Sequence, residues 1–159
     1  IAAKAVAFEE ALQPEFRAYA AAVVENAKAL AAVLRQGGLR IVSDGTENHL
    51  MLVDLSPLGT DGRQAEAVLR EAGIIANKNA IPFDPLPPRV TSGLRLGTPA
   101  LASRGMGVDE MQEVGAFILD ALAALDDSAA LVRIRRRVVE FARAFPAPGV
   151  TDGGRATVS

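Results

Sequence analysis

Between Asn77 and Arg89 the chain reads Asn-Lys-Asn-Ala-Ile-Pro-Phe-Asp-Pro-Leu-Pro-Pro-Arg, with Pro82, Pro85, Pro87 and Pro88 inside seven positions. Each proline removes a backbone donor and fixes φ, so neither a helix interior nor a sheet ladder tolerates that density. The segment must be a loop, and a stiff one, because little backbone freedom remains to be lost on ordering. Regular elements have to be found on either side of it.

Upstream, Ile1 to Phe8 has helical composition from the first position, with no Ser, Thr, Asp or Asn to cap it. Nor does it have the basic region or cleavage pattern of a signal peptide. The expectation is a piece of a longer protein, entered within a helix. Pro14 suits the first turn of the next helix. There Phe16, Ala20, Val23, Ala27, Leu30 and Leu34 recur at spacings of three and four and predict one buried stripe ending at Gly37-Gly38. Arg40–Ser43 and His49–Leu55 predict two strands joined by a polar turn. Asp61 and Gln64 have the spacing of a capping box for a helix that stops at Gly73. A short strand is expected at Ile74–Ala76, before the proline-rich loop.

Downstream, Gly93-Leu-Arg-Leu-Gly97 predicts a strand, and Thr98-Pro99 an N-cap and first turn. Two more apolar stripes predict closing helices, one on Met111, Val114, Ile118, Leu122 and Leu125, the other on Leu131, Ile134, Val138, Phe141 and Phe145. The order of elements predicts a small sheet packed by helices, an α+β fold or a two-layer α/β sandwich. Residues 1–145 form the expected domain and 146–159 a loose tail.

Composition narrows the function. The 159 residues carry 17 basic and 19 acidic side chains, a net charge of −2, which argues against nucleic acid or an anionic membrane as partner. There is no cysteine and a single histidine, so thiolate chemistry and histidine-based zinc sites are not expected. No apolar run reaches the roughly 18 residues of a membrane span, and a cytoplasmic type of domain is expected. Arg133, Arg135, Arg136 and Arg137 fan over the face of their helix opposite the apolar stripe, with no aromatics between them for base stacking, and read as a solvated face. His49 is expected in the core or facing a turn. Asp109-Glu110 and Asp126-Asp127 read as helix-terminus charges.

Arg95 is the most informative side chain. It alternates with Leu94 and Leu96 and so projects to the opposite face of its strand, with Gly93 and Gly97 on its own face leaving room around its stem. A guanidinium in such a space can grip a carboxylate through two parallel hydrogen bonds. An ordinary ion pair within the fold is the competing reading. The loop 77–89 could present carbonyls and an asparagine amide to a flat ligand, or be a plain connection.

Four segments then carry a resemblance: 23–30 (Val-Val-Glu-Asn-Ala-Lys-Ala-Leu), 44–55 (Asp-Gly-Thr-Glu-Asn-His-Leu-Met-Leu-Val-Asp-Leu), 77–85 (Asn-Lys-Asn-Ala-Ile-Pro-Phe-Asp-Pro) and 90–100 (Val-Thr-Ser-Gly-Leu-Arg-Leu-Gly-Thr-Pro-Ala). In order and spacing the chain resembles the C-terminal part of serine hydroxymethyltransferase, which implies an α+β small domain with a mainly antiparallel sheet under helices. That family implies a fold-type I enzyme that interconverts serine and glycine with pyridoxal phosphate, tetrahydrofolate carrying the one-carbon unit, in a cytoplasmic homodimer. By the resemblance, Arg95 matches the arginine that holds the substrate carboxylate and Asn79 a folate-contacting asparagine. Leu86, Pro87 and Pro88 match a loop that meets the folate through its backbone, although Leu-Pro-Pro-Arg departs from the common pattern there. The family's cofactor lysine has no match among Lys4, Lys28 and Lys78, so no catalytic or cofactor-binding residue is assigned and the chain alone is expected to be inactive. The rival readings are a non-catalytic assembly or regulatory module of the same fold, and another fold-type I enzyme, an aldolase or acyltransferase acting on glycine.

Overall fold

The computed structural model describes residues 1–149. The part of the expected tail at 150–159 lies outside the described residues. The elements are α1 (Ala2–Leu12), α2 (Pro14–Gln36), β1 (Arg40–Ile41), β2 (Leu50–Asp54), α3 (Gly62–Glu71), β3 (Asn77–Asn79), β4 (Gly93–Gly97), α4 (Pro99–Ser103), α5 (Val108–Ala123) and α6 (Ser128–Arg143). The strands form one sheet in the order β1-β2-β4-β3, with every neighbouring pair antiparallel. This is the expected α+β architecture.

One face of the sheet, carrying Ile41, Met51, Val53, Leu94 and Leu96, is buried. Against it pack α2 and α3, with α5 laid across both and α6 against α5 and α3. Leu30, Leu34, Leu55, Leu69 and Met111 complete the core. The opposite face bears Leu50, Leu52, Asn77, Asn79, Arg95 and Gly97 and is only partly covered. That asymmetry between the faces places the candidate site.

The apolar stripe of α2 is buried only from Val23 onward, while Phe16 and Ala20 are exposed. The first turns of α2, with α1, extend past the part of the helix that meets the sheet, and no residue of α1 is buried. The end of α2 is a left-handed glycine cap. Gly38 has φ 88°, the Leu39 N–H donates to the Leu34 carbonyl at 3.0 Å, and the Gly38 N–H donates to the Arg35 carbonyl at 2.9 Å.

Five local expectations are corrected. β1 is only two residues long, because Val42–Asp44 turn into a 3₁₀ segment with Ser43 and Asp44 at positive φ, and β2 starts one residue after His49. The strand expected at Ile74–Ala76 lies instead at Asn77–Asn79. Gly73, φ 85°, ends α3, and the Ile74 N–H is spent on the Leu69 carbonyl at 2.8 Å, so the chain joins the sheet only after that bond is made. Thr98 is the N-cap of α4 by position, but its hydroxyl donates to the Val23 carbonyl on α2 at 2.6 Å. Asp61 does cap α3, accepting from the Gln64 N–H at 2.8 Å, whereas the Gln64 side chain accepts from Thr60 rather than reaching back.

Candidate functional site

Arg95 sits at the centre of the partly covered face. In the ladder it stands opposite Leu52 of β2 on one side and Asn77 of β3 on the other. Residues directly opposite in an antiparallel sheet share a face. The side chain is exposed, and among the described residues no carboxylate pairs with it. Among the described residues, then, the ion pair of the competing reading is not found.

The two flanking glycines differ in what they do. A Cβ at Gly93 would lie 2.6 Å from Ile81 Cγ2, 2.8 Å from the Val53 carbonyl oxygen and 2.9 Å from that of Asn79. Glycine here lets the base of the loop lie directly on β4, so the space beside Gly93 is filled rather than open. Gly97 is exposed, and it and Arg95 line a cleft of about 780 Å³ whose other walls come from α5 and α6 on the helix side of the sheet. Asn77, Arg95, Gly97, Pro99, Leu101 and Phe117 are among the residues lining it. The cleft exists because β3 pairs with β4 only as far as Arg95 and then diverges. A mainly apolar recess with an arginine and an amide at its wall suits a small molecule held by one anionic group.

Asn79 lies on the same sheet face, across from Gly93, and is half-buried. Its amide nitrogen donates to the Ala80 carbonyl at 2.7 Å. Leu86, Pro87 and Pro88 are exposed in the loop beyond it, and neither they nor Asn79 line the cleft. Part of that loop's backbone is already committed: the Leu86 N–H donates to Asp84, and the Pro87 carbonyl accepts from the Val90 and Thr91 N–H groups at 2.9 and 3.1 Å. The structure thus places Arg95 and Asn79 on one surface, with the 86–88 segment in the neighbouring loop.

Two residues of this region escaped the sequence reading. Asn77 falls within the loop that the prolines predict, yet it is the cross-strand neighbour of Arg95. Asp84 organises the whole loop. Its carboxylate accepts from the Ser92 hydroxyl at 2.7 Å, the Ser92 N–H at 2.8 Å, the Leu86 N–H at 2.9 Å and the Ile81 N–H at 3.1 Å. Burial alone would raise the pKa of Asp84, but the Ser92 hydroxyl and the three backbone donors outweigh it and hold the value down at about 2. The available signal was the Asp-Pro-Leu triplet, since Asp commonly accepts from the amide two residues on.

Of the remaining candidates, only His49 also lines the cleft. His49 is exposed, in the turn before β2. Glu110 accepts from the Gly107 N–H and Asp127 from the Ala130 N–H, each at a helix start. The arginines of α6 are exposed, with Arg137 paired to Asp120 at 2.8 Å and lying over the Phe117 ring. Lys4 and Lys28 are on exposed helix positions. Lys78 is 3.3 Å from Glu66, on the sheet face opposite Arg95. For Glu66, burial raises the pKa, but the Lys78 N–H and ammonium outweigh it and the net shift is downward. No group of three or more His, Cys, Asp or Glu side chains able to hold a metal occurs among the described residues, and none of their helices is long and apolar enough to cross a membrane.

Comparison with known proteins follows the same residues. The sequence profile of the family described as "Serine hydroxymethyltransferase" matches residues 1–118. A serine hydroxymethyltransferase of Myxococcus xanthus is 58% identical over 146 residues, and those of Rhodopseudomonas palustris and Paramagnetospirillum magneticum are 57% and 58% identical over 152 and 151 residues. Each alignment covers 92% of this chain but only 35% of the relative, so the chain spans about a third of the length of the proteins it matches.

Proposed function

Because the chain belongs to the serine hydroxymethyltransferase family, we propose that residues 1–145 are the C-terminal small domain of such an enzyme, supplying the arginine that holds the substrate carboxylate and one side of the folate site. The parent reaction would interconvert serine and glycine with tetrahydrofolate as one-carbon carrier, in a cytoplasmic homodimer, as the resemblance implies. The observation that carries this reading is Arg95 itself: exposed beside an open cleft, with no acidic partner among the described residues.

The chemistry this chain contributes is orientation. A guanidinium gripping both carboxylate oxygens fixes the rotation of a bound amino acid, which a point charge such as lysine does less well. Fixing that rotation removes an entropic part of the barrier before any bond changes. Asn79 and the Leu86–Pro88 segment would meet the folate from the neighbouring loop. Pyridoxal phosphate, when bound, supplies the electron-accepting chemistry of the family. The residues of this chain do not fit its anchor, because none of the three lysines lines the cleft beside Arg95, Lys4 and Lys28 being on exposed helix positions and Lys78 paired with Glu66. That role falls to the rest of the parent polypeptide.

The test is Arg95→Lys in the full-length enzyme. Once a bound amino acid covers and pairs the guanidinium, breaking that pair costs roughly 2–5 kcal/mol, so kcat/KM for serine is expected to fall by more than about thirtyfold. A loss of tenfold or less would remove Arg95 from the role.

A further inference from the structure

The loop between β3 and β4 is held in shape by one side chain. The two carboxylate oxygens of Asp84 take four donors, from Ile81 at its start, Leu86 in its middle and Ser92 at its end. Inside this clasp the backbone adopts conformations that its residues do not favour. Phe83 has φ 58° and Thr91 has φ 63°. Such positions strain a non-glycine residue and persist only where the surroundings over-determine them, typically at ligand clamps and functional loops. Phe83 is fully exposed, so no packing of its own side chain accounts for its backbone. Thr91 is locked from outside: its carbonyl accepts from the Gly62 N–H at 2.9 Å, and a side chain at Gly62 would collide with it.

The clasp also joins the loop to the strand that carries Arg95. Ser92 directly precedes β4, and its carbonyl accepts from the Leu55 N–H at 2.9 Å, at the end of β2. The clasp thus fixes the loop's end at the sheet, while Arg95 itself is held by the β2–β4 and β3–β4 ladders. A surface connection with four prolines would not need such a hub, whereas a loop that must meet a large ligand in one fixed shape gains affinity from it, since less order remains to be imposed on binding.

We propose that Asp84 is a positioning residue for the folate co-substrate, holding Asn79 and the Leu86–Pro88 segment in their receiving conformation without touching the ligand itself. This rests on the folate reading given above. The experiment uses the full-length enzyme and compares Asp84→Asn, Ser92→Ala and Asn79→Ala by KM for tetrahydrofolate, KM for serine and melting temperature. Asp84→Asn keeps the shape of the side chain but turns one oxygen into a donor facing N–H groups. It is expected to raise the tetrahydrofolate KM about tenfold while leaving the serine KM within about twofold. Ser92→Ala removes one of the four bonds and tests the same point if Asp84→Asn does not fold, with an expected rise of about threefold in the tetrahydrofolate KM alone. A merely structural clasp would lower the melting temperature without separating the two substrates, and that result overturns the inference. So does an unchanged tetrahydrofolate KM in Asp84→Asn while Asn79→Ala weakens folate binding. If neither substitution affects folate, the folate reading itself fails and takes this inference with it.

Discussion

Four donors on one carboxylate give Asp84 a definite acid response. The folded pKa of about 2 lies below the ordinary 3.8. A group depressed on folding stabilises fully above its unfolded pKa and loses that contribution as the pH falls through the folded value. The clasp is therefore expected to hold from neutral pH to about pH 4, weaken below that, and be lost near pH 2. The carboxyl carbon shift of Asp84, followed by NMR with the Ser92 amide, checks this, and a midpoint near 4 would show that the hub is not formed in solution. The same residue marks what single-residue reading can reach. Arg95 was legible because alternation with two leucines fixes its face whatever surrounds it. Asp84 was only half legible, because an acid before proline signals a local turn but not the bond to Ser92, which exists only once the loop has closed.

At the scale of elements, long amphipathic stripes were readable and short backbone-driven pieces were not. α5 and α6 follow their predicted apolar positions, since a stripe repeated over several turns can bury only one way. β3 consists of Asn-Lys-Asn, which has no strand propensity; its pairing with β4 is imposed by the frame, while the more strand-like Ile74-Ile75 is diverted by the cap at Gly73. Thr98 shows the same limit, its hydroxyl being drawn to a neighbouring helix that no local pattern could reveal. One close helix contact yields a prediction. Gly115 of α5 faces Val33 and Leu30 of α2, and a Cβ there would run into Val33. Gly115→Ala is expected to cost about 1–3 kcal/mol through overpacking. Val33→Ala in the same chain should recover part of that loss, so urea unfolding of the single and double variants should give a coupling of at least about 0.5 kcal/mol. Additive losses would mean that the two helices relax apart.

For the molecule as a whole, the apolar surface and the lysines lead to one argument. Val6, Phe8, Leu12 and Phe16 are exposed along α1 and the start of α2, an apolar surface of the kind that normally seats against other protein. On the proposed reading it is covered by the remainder of a polypeptide of which this chain is about a third. That remainder would also have to bring the cofactor's lysine. A lysine that forms a lasting imine has its amine activated by a desolvated or cationic pocket. Lys4 and Lys28 lie on exposed helix positions, and Lys78 is 3.3 Å from Glu66 on the face opposite Arg95. Added pyridoxal phosphate should therefore meet only surface amines here, giving weak absorbance that dialysis removes and that serine does not change. A stoichiometric yellow complex that survives dialysis and shifts on adding serine would place a complete cofactor site within this chain, and the division of labour between small domain and parent enzyme would have to be redrawn.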